Sequence, residues 1–585
     1  MLVPSHPAPE QSGLPGFTLP LNYTPKIEHH IFPQIPLFPH ALENITEAVK
    51  VHREILMMRI MNTITDKPEW DRKVFDEEIL AKWRNEIPQT GQDVSPAMMD
   101  YIIQELQWKA GQFKKDQAIT VFDMGVAKSD TAIPEEIRRA LVNEVFHLED
   151  VSDKDKDYHP GSDDKVLDLV HPSLFPLVYG RTHILPDRTI TLEDCLGTVG
   201  QGKLLAVPEI KRGGDIKRYS DKFQWLPCDV AFNPTEPDSV RIVSYINNLH
   251  PIEHRGLYGV IEKVIARAIP LWNKALNGEI WLPDRIRYDG VEYEEHPEPE
   301  PVQRDDEEDE PYWERHTVWE KTRPIQQPEP QVFEASNHEL DKSMDIQKLF
   351  SATGLQVIVK LANIELTPEK PEYDGGSWHI EGQLNERICA TALYYYDSEN
   401  ITESTLGFRQ RINESTISEN VGYEQERHEF LQQVYGLTDE AAYGYDQFTQ
   451  DLGSVVCRQG RLLTFPNVLQ HRVSPFSLED RSKPGHRKIL ALFLVDPHLK
   501  IISTANIPPQ QEDWGKEKAY LVQSVLSNRL PAELQYMISK EGILQELMNL
   551  EEAKALRLEL MEERSVNSQE QNAEFERGEF SLCEH

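Results

Sequence analysis

GRLLTFPNVLQHRVSPF (residues 460–476) and GHRKILALFLVDP (residues 485–497) decide the fold. Both are runs of aliphatic and aromatic side chains closed by a proline turn, the pattern of strands buried in a sheet. LQVIVKLANIEL (355–366), RICATALYYYD (387–397) and SVVCRQ (454–459) repeat the texture upstream. Several such strands between Leu355 and Pro497 predict a sandwich, barrel or jelly roll. Residues 412–450 interrupt them with a polar, helical pattern and read as an insertion.

Outward from this core the chain divides by composition. Residues 1–40 carry Pro4, Pro7, Pro9, Pro15, Pro20, Pro25, Pro33, Pro36 and Pro39 and read as an extended or disordered arm. Residues 41–290 read as an N-terminal α/β region. Helical spacing of Ile45, Val49, Ile55, Met58 and Ile60 opens it, followed by helices at Ala97–Phe113, from Pro134, and at Leu257–Leu276. GKLLAVPEI, FQWLPCDVAF and SVRIVSYINNL add short strands between 165 and 250. Segment 291–330 is acidic and proline-rich, with eleven acids and one basic residue, Arg304, between 292 and 310; it reads as a linker or loop. The strand-rich domain is expected at 331–510, and 511–585 as a C-terminal helical region and tail, with its helix at Glu533–Glu563.

The balance of 61 Lys+Arg against 98 Asp+Glu leaves a net charge of −37. That excludes a nucleic-acid binder, which needs clustered basic residues, and an anionic membrane surface as partner. No apolar window is long enough to span a bilayer, and MLVPSHPAPEQSGLPGF lacks the pattern of a signal peptide. Five scattered cysteines (Cys195, Cys228, Cys389, Cys457, Cys583) form no Cys-x-x-Cys pair, which suits a reducing compartment, so cytoplasm or nucleus is expected. No Gly-x-x-x-x-Gly-Lys, Gly-x-Gly-x-x-Gly or Gly-x-Ser-x-Gly motif is present, so nucleotide binding is not expected. His250 and His254 are spaced as on a zinc helix, but Pro251 and the lack of the partner Glu argue against that site.

Three pieces of the strand-rich region carry chemistry. In GGSWHIEG (375–382), His379 and Glu381 are two residues apart and share a face if the segment is a strand. His471 follows a strong strand and a Pro turn, and Arg487 opens the next strand. Two histidines and a carboxylate on one side of a metal form the facial triad of non-haem Fe(II) oxygenases, and a guanidinium suits a dicarboxylate. Arg487 competes with Arg481 and Lys488; it shares parity with Ile489 and the small Ala491, which leaves room beside it.

Residues 375–497 resemble the core of Fe(II)/2-oxoglutarate-dependent oxygenases, and GRLLTFPNVLQHRVSPF resembles the distal-histidine segment of their prolyl-hydroxylase-like branch. WHIEGQLNERICATALYYYDSENIT, SYINNLHP and STANIPPQQEDW resemble a fungal family known only as a domain of unknown function, over about residues 40–565. The resemblance implies an α+β chain with a double-stranded β-helix (jelly-roll) core and flanking helical regions. It implies Fe(II) on His379, Glu381 and His471, and 2-oxoglutarate on Arg487, with hydroxylation of a substrate and release of succinate and CO2. The acid is Glu where most relatives have Asp, and the 90 residues between Glu381 and His471 are accommodated by the insertion. Gln383 and Asn385 continue the parity of the ligands, and Tyr394 and Tyr396 lie on the next strand; all four are second-tier candidates.

The expected substrate is a small molecule or a protein side chain, with the acidic surface favouring a basic one. Two alternatives remain open at this point: an inactive jelly-roll scaffold, and a metal enzyme of the same fold that does not use 2-oxoglutarate.

Overall fold

A computed structural model describes residues 13–26, 36–43, 49–211, 218–236, 238–277, 284–338, 344–437, 448–516 and 547–576. The chain is a mixed α/β protein with antiparallel sheets. Its first half carries helices α1 (His52–Thr65) and α2 (Pro96–Asp116), hairpin β1 (Ile119–Phe122) and β2 (Val126–Ser129), and helix α3 (Glu135–Glu149). Strands β3 (Val166–Val170), β4 (Cys228–Phe232) and β5 (Val240–Ile242) and helix α4 (Arg255–Asn277) follow. After α5 (Asp309–Lys321) come β6 (Leu355–Leu366), β7 (Glu372–Tyr373), β8 (Ile388–Glu399), β9 (Thr405–Arg411) and β10 (Thr449–Val456). Strands β11 (Leu462–Pro466), β12 (Gln470–Val473), β13 (Phe476–Ser477) and β14 (Gly485–Val495) complete the sheets, and α6 (Leu550–Glu576) is the last described helix.

The large sheet runs β1-β2-β11-β8-β14-β6-β4-β5, with β3 also paired to β6. A smaller sheet runs β10-β9-β12, and β7 pairs with β13. Alternation along the strands splits the large sheet into two cores. Val357, Val359, Leu490, Leu492, Leu494, Tyr394 and Tyr396 face helices α3 and α4, against Leu141, Val145, Ile261 and Trp272. Ile358, Leu393, Tyr395, Ala491 and Phe493 face the smaller sheet, against Leu406, Phe408, Leu452 and Val455. Any charged side chain on this second face is therefore enclosed between the sheets.

The strands of 41–290 and of 331–510 are not confined to separate sheets. Leu463 of β11 pairs with Lys128 of β2, and Leu355 of β6 pairs with Val230 of β4. N-terminal strands thus cover edges that would otherwise expose unpaired backbone. The hairpin that does so turns at Gly125, with φ +96°, where a Cβ would meet the carbonyl oxygen of Ala275 at 2.3 Å. Near it, buried Arg285 grips Glu105 at 2.7 and 2.8 Å and Asp123 at 2.5 and 2.9 Å, which ties α2 to the hairpin.

Nor is the acidic segment 291–330 a loop throughout. Asp309–Lys321 is helical, with Asp309 and Glu310 in the first turn, where negative charge suits the exposed N–H groups. Its flanks return on themselves: Arg323 stacks 3.8 Å over the Tyr293 ring. Within the insertion 412–450, Glu414–Asn420 and Glu429–Tyr435 are helical, while 438–447 lie outside the described residues. Parts of the proline-rich arm (1–12 and 27–35), the first part of the expected helix Glu533–Glu563 (up to 546), and Cys583 also lie outside them. The four described cysteines are unpaired and buried. Among the described residues no helix is long and apolar enough to cross a membrane.

Candidate metal centre

His379 and Glu381 do not sit on a regular strand, as their spacing suggested. They occupy the segment between β7 and β8, where His379 makes one isolated antiparallel bridge with His471 of β12. The His379 N–H donates to the His471 carbonyl at 3.1 Å, and the His471 N–H returns to the His379 carbonyl at 3.0 Å. Fully buried Asn467, in the turn before β12, fixes the next residue. Its Oδ1 accepts from the Glu381 N–H at 2.9 Å, and its Nδ2 donates to the Glu381 carbonyl at 2.8 Å and the Ile388 carbonyl at 3.0 Å. The chain then turns at Gly382 (φ +72°), where a Cβ would meet Ile388 Cδ1 at 2.8 Å.

These contacts bring three donor groups together. Glu381 Oε1 is 3.3 Å from His471 Nε2 and 3.9 Å from His379 Nε2, and the imidazole centroids are 4.3 Å apart. One donor atom from each residue lies within 4.8 Å of the others. His379 Nδ1 is 2.8 Å from the Ser377 carbonyl, which can only accept. The proton therefore sits on Nδ1 and leaves the Nε2 lone pair for a ligand, the usual arrangement of a metal-bound histidine. The His471 ring packs 4.6 Å from Phe465. Burial, and then the neighbouring His471, push the His379 imidazole down to about 4. Burial alone would raise the Glu381 carboxyl, but its hydrogen bond with His471 and the charges of the two histidines outweigh that and hold it at about 2. A neutral imidazole beside a carboxylate is a ligand set ready for a divalent cation.

Of the three candidate cations, Arg487 faces the same interior. It follows the parity of Ile489, Ala491 and Phe493 and is 2 % exposed. Its Nη1 donates to Ser404 Oγ, its Nε has no partner among the described residues, and its guanidinium lies over the rings of Phe476 (5.0 Å) and Tyr395 (5.6 Å). No acid pairs with it among the described residues. Arg481 is exposed and paired with Glu372 at 2.7 Å, and Lys488 points to the other face and meets Glu149 at 2.8 Å.

The second-tier candidates belong elsewhere. Asn385 holds the 220–223 loop, through the Ser220 N–H, the Ser220 carbonyl and the Phe223 carbonyl. Gln383 is buried at the foot of a short turn and accepts from Gln571 at 3.4 Å. Tyr394 and Tyr396 face the helices, and the Tyr396 hydroxyl donates to Asn363 Oδ1 at 3.3 Å. The tyrosine facing the interior is Tyr395. Sequence spacing also missed Asn467 and Lys360. Lys360 neighbours Ala491 across β6 and β14, and its charge helps lower the Glu381 carboxyl.

A second group, His159, Asp168 and His171, also brings its donor atoms within 4.8 Å. His159 Nδ1 is 2.8 Å from Asp168 Oδ2. His171 Nδ1 accepts the Ser173 N–H at 3.1 Å, so its proton sits on Nε2, which is then a donor rather than a ligand. This group fits a metal less well than the triad.

Among solved structures, similarity is found to IDO from Bacillus thuringiensis, at 14 % identity over 25 % of this chain and 48 % of that one, TM-score 0.14. The Fe(II)/α-ketoglutarate-dependent dioxygenase TqaL shows 18 % identity over 25 % of this chain and 44 % of that one, TM-score 0.16. The oxalate decarboxylase of Lactobacillus farciminis shows 12 % identity over 32 % of this chain and 36 % of that one, TM-score 0.11. The chain thus spans less than half the length of each of these proteins. No curated protein matches it. Family models match at residues 14–86, the DUF4246 N-terminal domain of unknown function, and at 96–518, the protein of unknown function DUF4246. The chain belongs to the DUF4246 family.

Proposed function

We propose that the chain is a non-haem Fe(II)/2-oxoglutarate-dependent oxygenase whose two sheets form a double-stranded β-helix. The strand order supports the fold reading. With the eight strands β6 to β12 and β14 counted one to eight, the large sheet holds six-three-eight-one and the smaller five-four-seven. The second, β7, pairs with β13, directly after the seventh.

His379, Glu381 and His471 would hold the iron, and their donor set, two imidazoles and a carboxylate, fits it. Bound there, iron supplies oxygen chemistry coupled to the decarboxylation of 2-oxoglutarate to succinate and CO2. The chain's own residues orient and enclose. Asn467 aims Glu381, Ser377 sets the His379 tautomer, and Phe465 backs His471. Arg487 would bind the distal carboxylate of 2-oxoglutarate, with Tyr395 and Phe476 as walls that keep water from the pair. The net charge of −37 favours a basic substrate, a small molecule or a protein side chain.

One observation carries the reading. Arg487 is a buried guanidinium, facing the interior that holds the triad, hydrogen-bonded to the Ser404 hydroxyl and set over two aromatic rings, with no acid beside it among the described residues. An uncompensated buried charge costs several kcal/mol, and a ligand carboxylate removes that cost. The test is anaerobic addition of Fe(II) and then 2-oxoglutarate, read by the visible metal-to-ligand charge-transfer band. A band lost in His379→Ala and weakened in Arg487→Ala is expected. Iron binding without a band rejects 2-oxoglutarate; no iron binding in folded protein leaves a scaffold.

A further inference from the structure

Helix α6 is polar for a packed helix: of its residues only Ala553, Arg557, Leu560 and Phe575 are buried. Side-chain bonds hold it. Arg557 grips Asp157 at 2.6 and 3.0 Å, and Arg564 meets Glu386 at 2.7 Å while stacking 3.8 Å over Trp225. Its last turn reaches the two segments that carry the histidines of the triad.

There, Asn572 Nδ2 donates to the Trp378 carbonyl at 2.9 Å, and Asn572 Oδ1 accepts from Gln470 Nε2 at 2.6 Å. Trp378 immediately precedes His379, and Gln470 immediately precedes His471. The amides have one consistent orientation. Arg409 can only donate, and its Nε donates to Gln470 Oε1 at 2.7 Å. Gln470 must then present its NH2 group, Asn572 its oxygen, and the Asn572 NH2 group is left for the Trp378 carbonyl. Arg409 also holds Glu576, one turn further along the helix, at 2.8 Å. Arg409 and Gln470 are both buried, so a partner lost from this ring would not be replaced freely by water.

We propose that Asn572 is a positioning residue of the metal centre: it ties the two histidine-bearing segments together from the C-terminal helix. This rests on the triad being a metal site. The bridge between His379 and His471 aligns their backbones; Asn572 adds a side-chain tie one residue earlier on each segment and fixes their spacing. Outer partners of metal ligands typically carry about 10–100-fold in metal affinity.

Co(II) titration of the full chain, read by its visible d–d bands, tests this. Asn572→Ala is expected to weaken Co(II) about tenfold and change the band pattern, with the metal-free unfolding midpoint within a few degrees of wild type. Asn572→Asp keeps the volume and the bond from Gln470 but cannot donate to the Trp378 carbonyl, so it should weaken Co(II) similarly, and it decides the matter if Asn572→Ala does not fold. Glu559→Ala removes a different anchor of the same helix, the pair with Lys222, and should leave Co(II) affinity unchanged. Wild-type affinity in the folded Asn572 variants overturns the proposal, as does an equal loss in Glu559→Ala, which would make helix docking in general the cause. A wild-type protein that binds neither Co(II) nor Fe(II) overturns the reading of the triad instead.

Discussion

His379 and His471 are joined by a closed pair of backbone hydrogen bonds, 3.1 and 3.0 Å, with their imidazoles 4.3 Å apart and Glu381 Oε1 3.3 and 3.9 Å from the Nε2 atoms of His471 and His379. Residues 92 positions apart in the chain, numbered 379 and 471, are thereby fixed at ligand spacing by main chain rather than by flexible side chains.

Arg487→Met should separate co-substrate binding from stability. Removing a guanidinium that pairs with no acid among the described residues leaves stability equal or higher, because a well-packed apolar side chain costs less there than a buried charge. Affinity for 2-oxoglutarate should fall about 100-fold, as expected when a charge-assisted pair of about 2.7 kcal/mol is lost. Thermal unfolding and a 2-oxoglutarate titration check both signs. A less stable variant with unchanged affinity would mean that Arg487 serves the core alone.

Asn467→Ala strips partners from the Glu381 N–H, from the part-buried Glu381 carbonyl and from the buried Ile388 carbonyl. The expected loss is about 2–4 kcal/mol in urea unfolding. Metal affinity should fall at least tenfold, since Glu381 loses the group that aims it. Wild-type metal affinity in the folded variant would show that Glu381 is aimed by other contacts.

Asp66 gives a pH dependence. Its Oδ1 meets Lys128 Nζ at 2.6 Å and Arg461 Nη2 at 2.7 Å. Burial would raise this carboxyl, but the two cations outweigh it and hold it below its ordinary 3.8. A carboxyl lowered in the folded state contributes stability that is present above its ordinary value and is lost as pH falls through the folded one. Asp66→Asn should therefore lower stability at pH 7, and the gap to wild type should narrow as pH falls below 3.8. Urea midpoints across that range decide it; a gap independent of pH would contradict the pairing.

Adjacent tyrosines should behave oppositely. Tyr395→Leu removes a ring 5.6 Å from the Arg487 guanidinium and should weaken 2-oxoglutarate about fivefold, in line with about 1 kcal/mol for a cation over an aromatic face. Tyr394→Leu empties space beside α3 and α4, so it should lower stability and leave 2-oxoglutarate affinity alone. Equal effects on 2-oxoglutarate affinity would contradict the two-faced packing of β8.

What the sequence determined by itself was local. The strands around Leu355–Pro497 were legible because β-branched and aromatic runs between turn residues have few other uses. His379, Glu381, His471 and Arg487 stood out because their residue types, in that order, suit a divalent metal and a dicarboxylate. Tertiary structure alone decided the rest. It turned Tyr395 toward the space between the sheets and Tyr394 and Tyr396 into the core against α3 and α4, sent Asn385 to the 220–223 loop, and chose Arg487 over Arg481 and Lys488 as the enclosed cation. It also brought β1 to β5 into the same large sheet, Asn467 to Glu381 from 86 residues away, and Asn572 to the Trp378 carbonyl from 194. The reason is physical. Period-two alternation says that neighbouring side chains part to opposite faces, but which face is enclosed depends on what packs there. A hydrogen-bonding amide can serve any backbone group within reach, so its partner is set by the fold that closes around it and not by its neighbours in the chain.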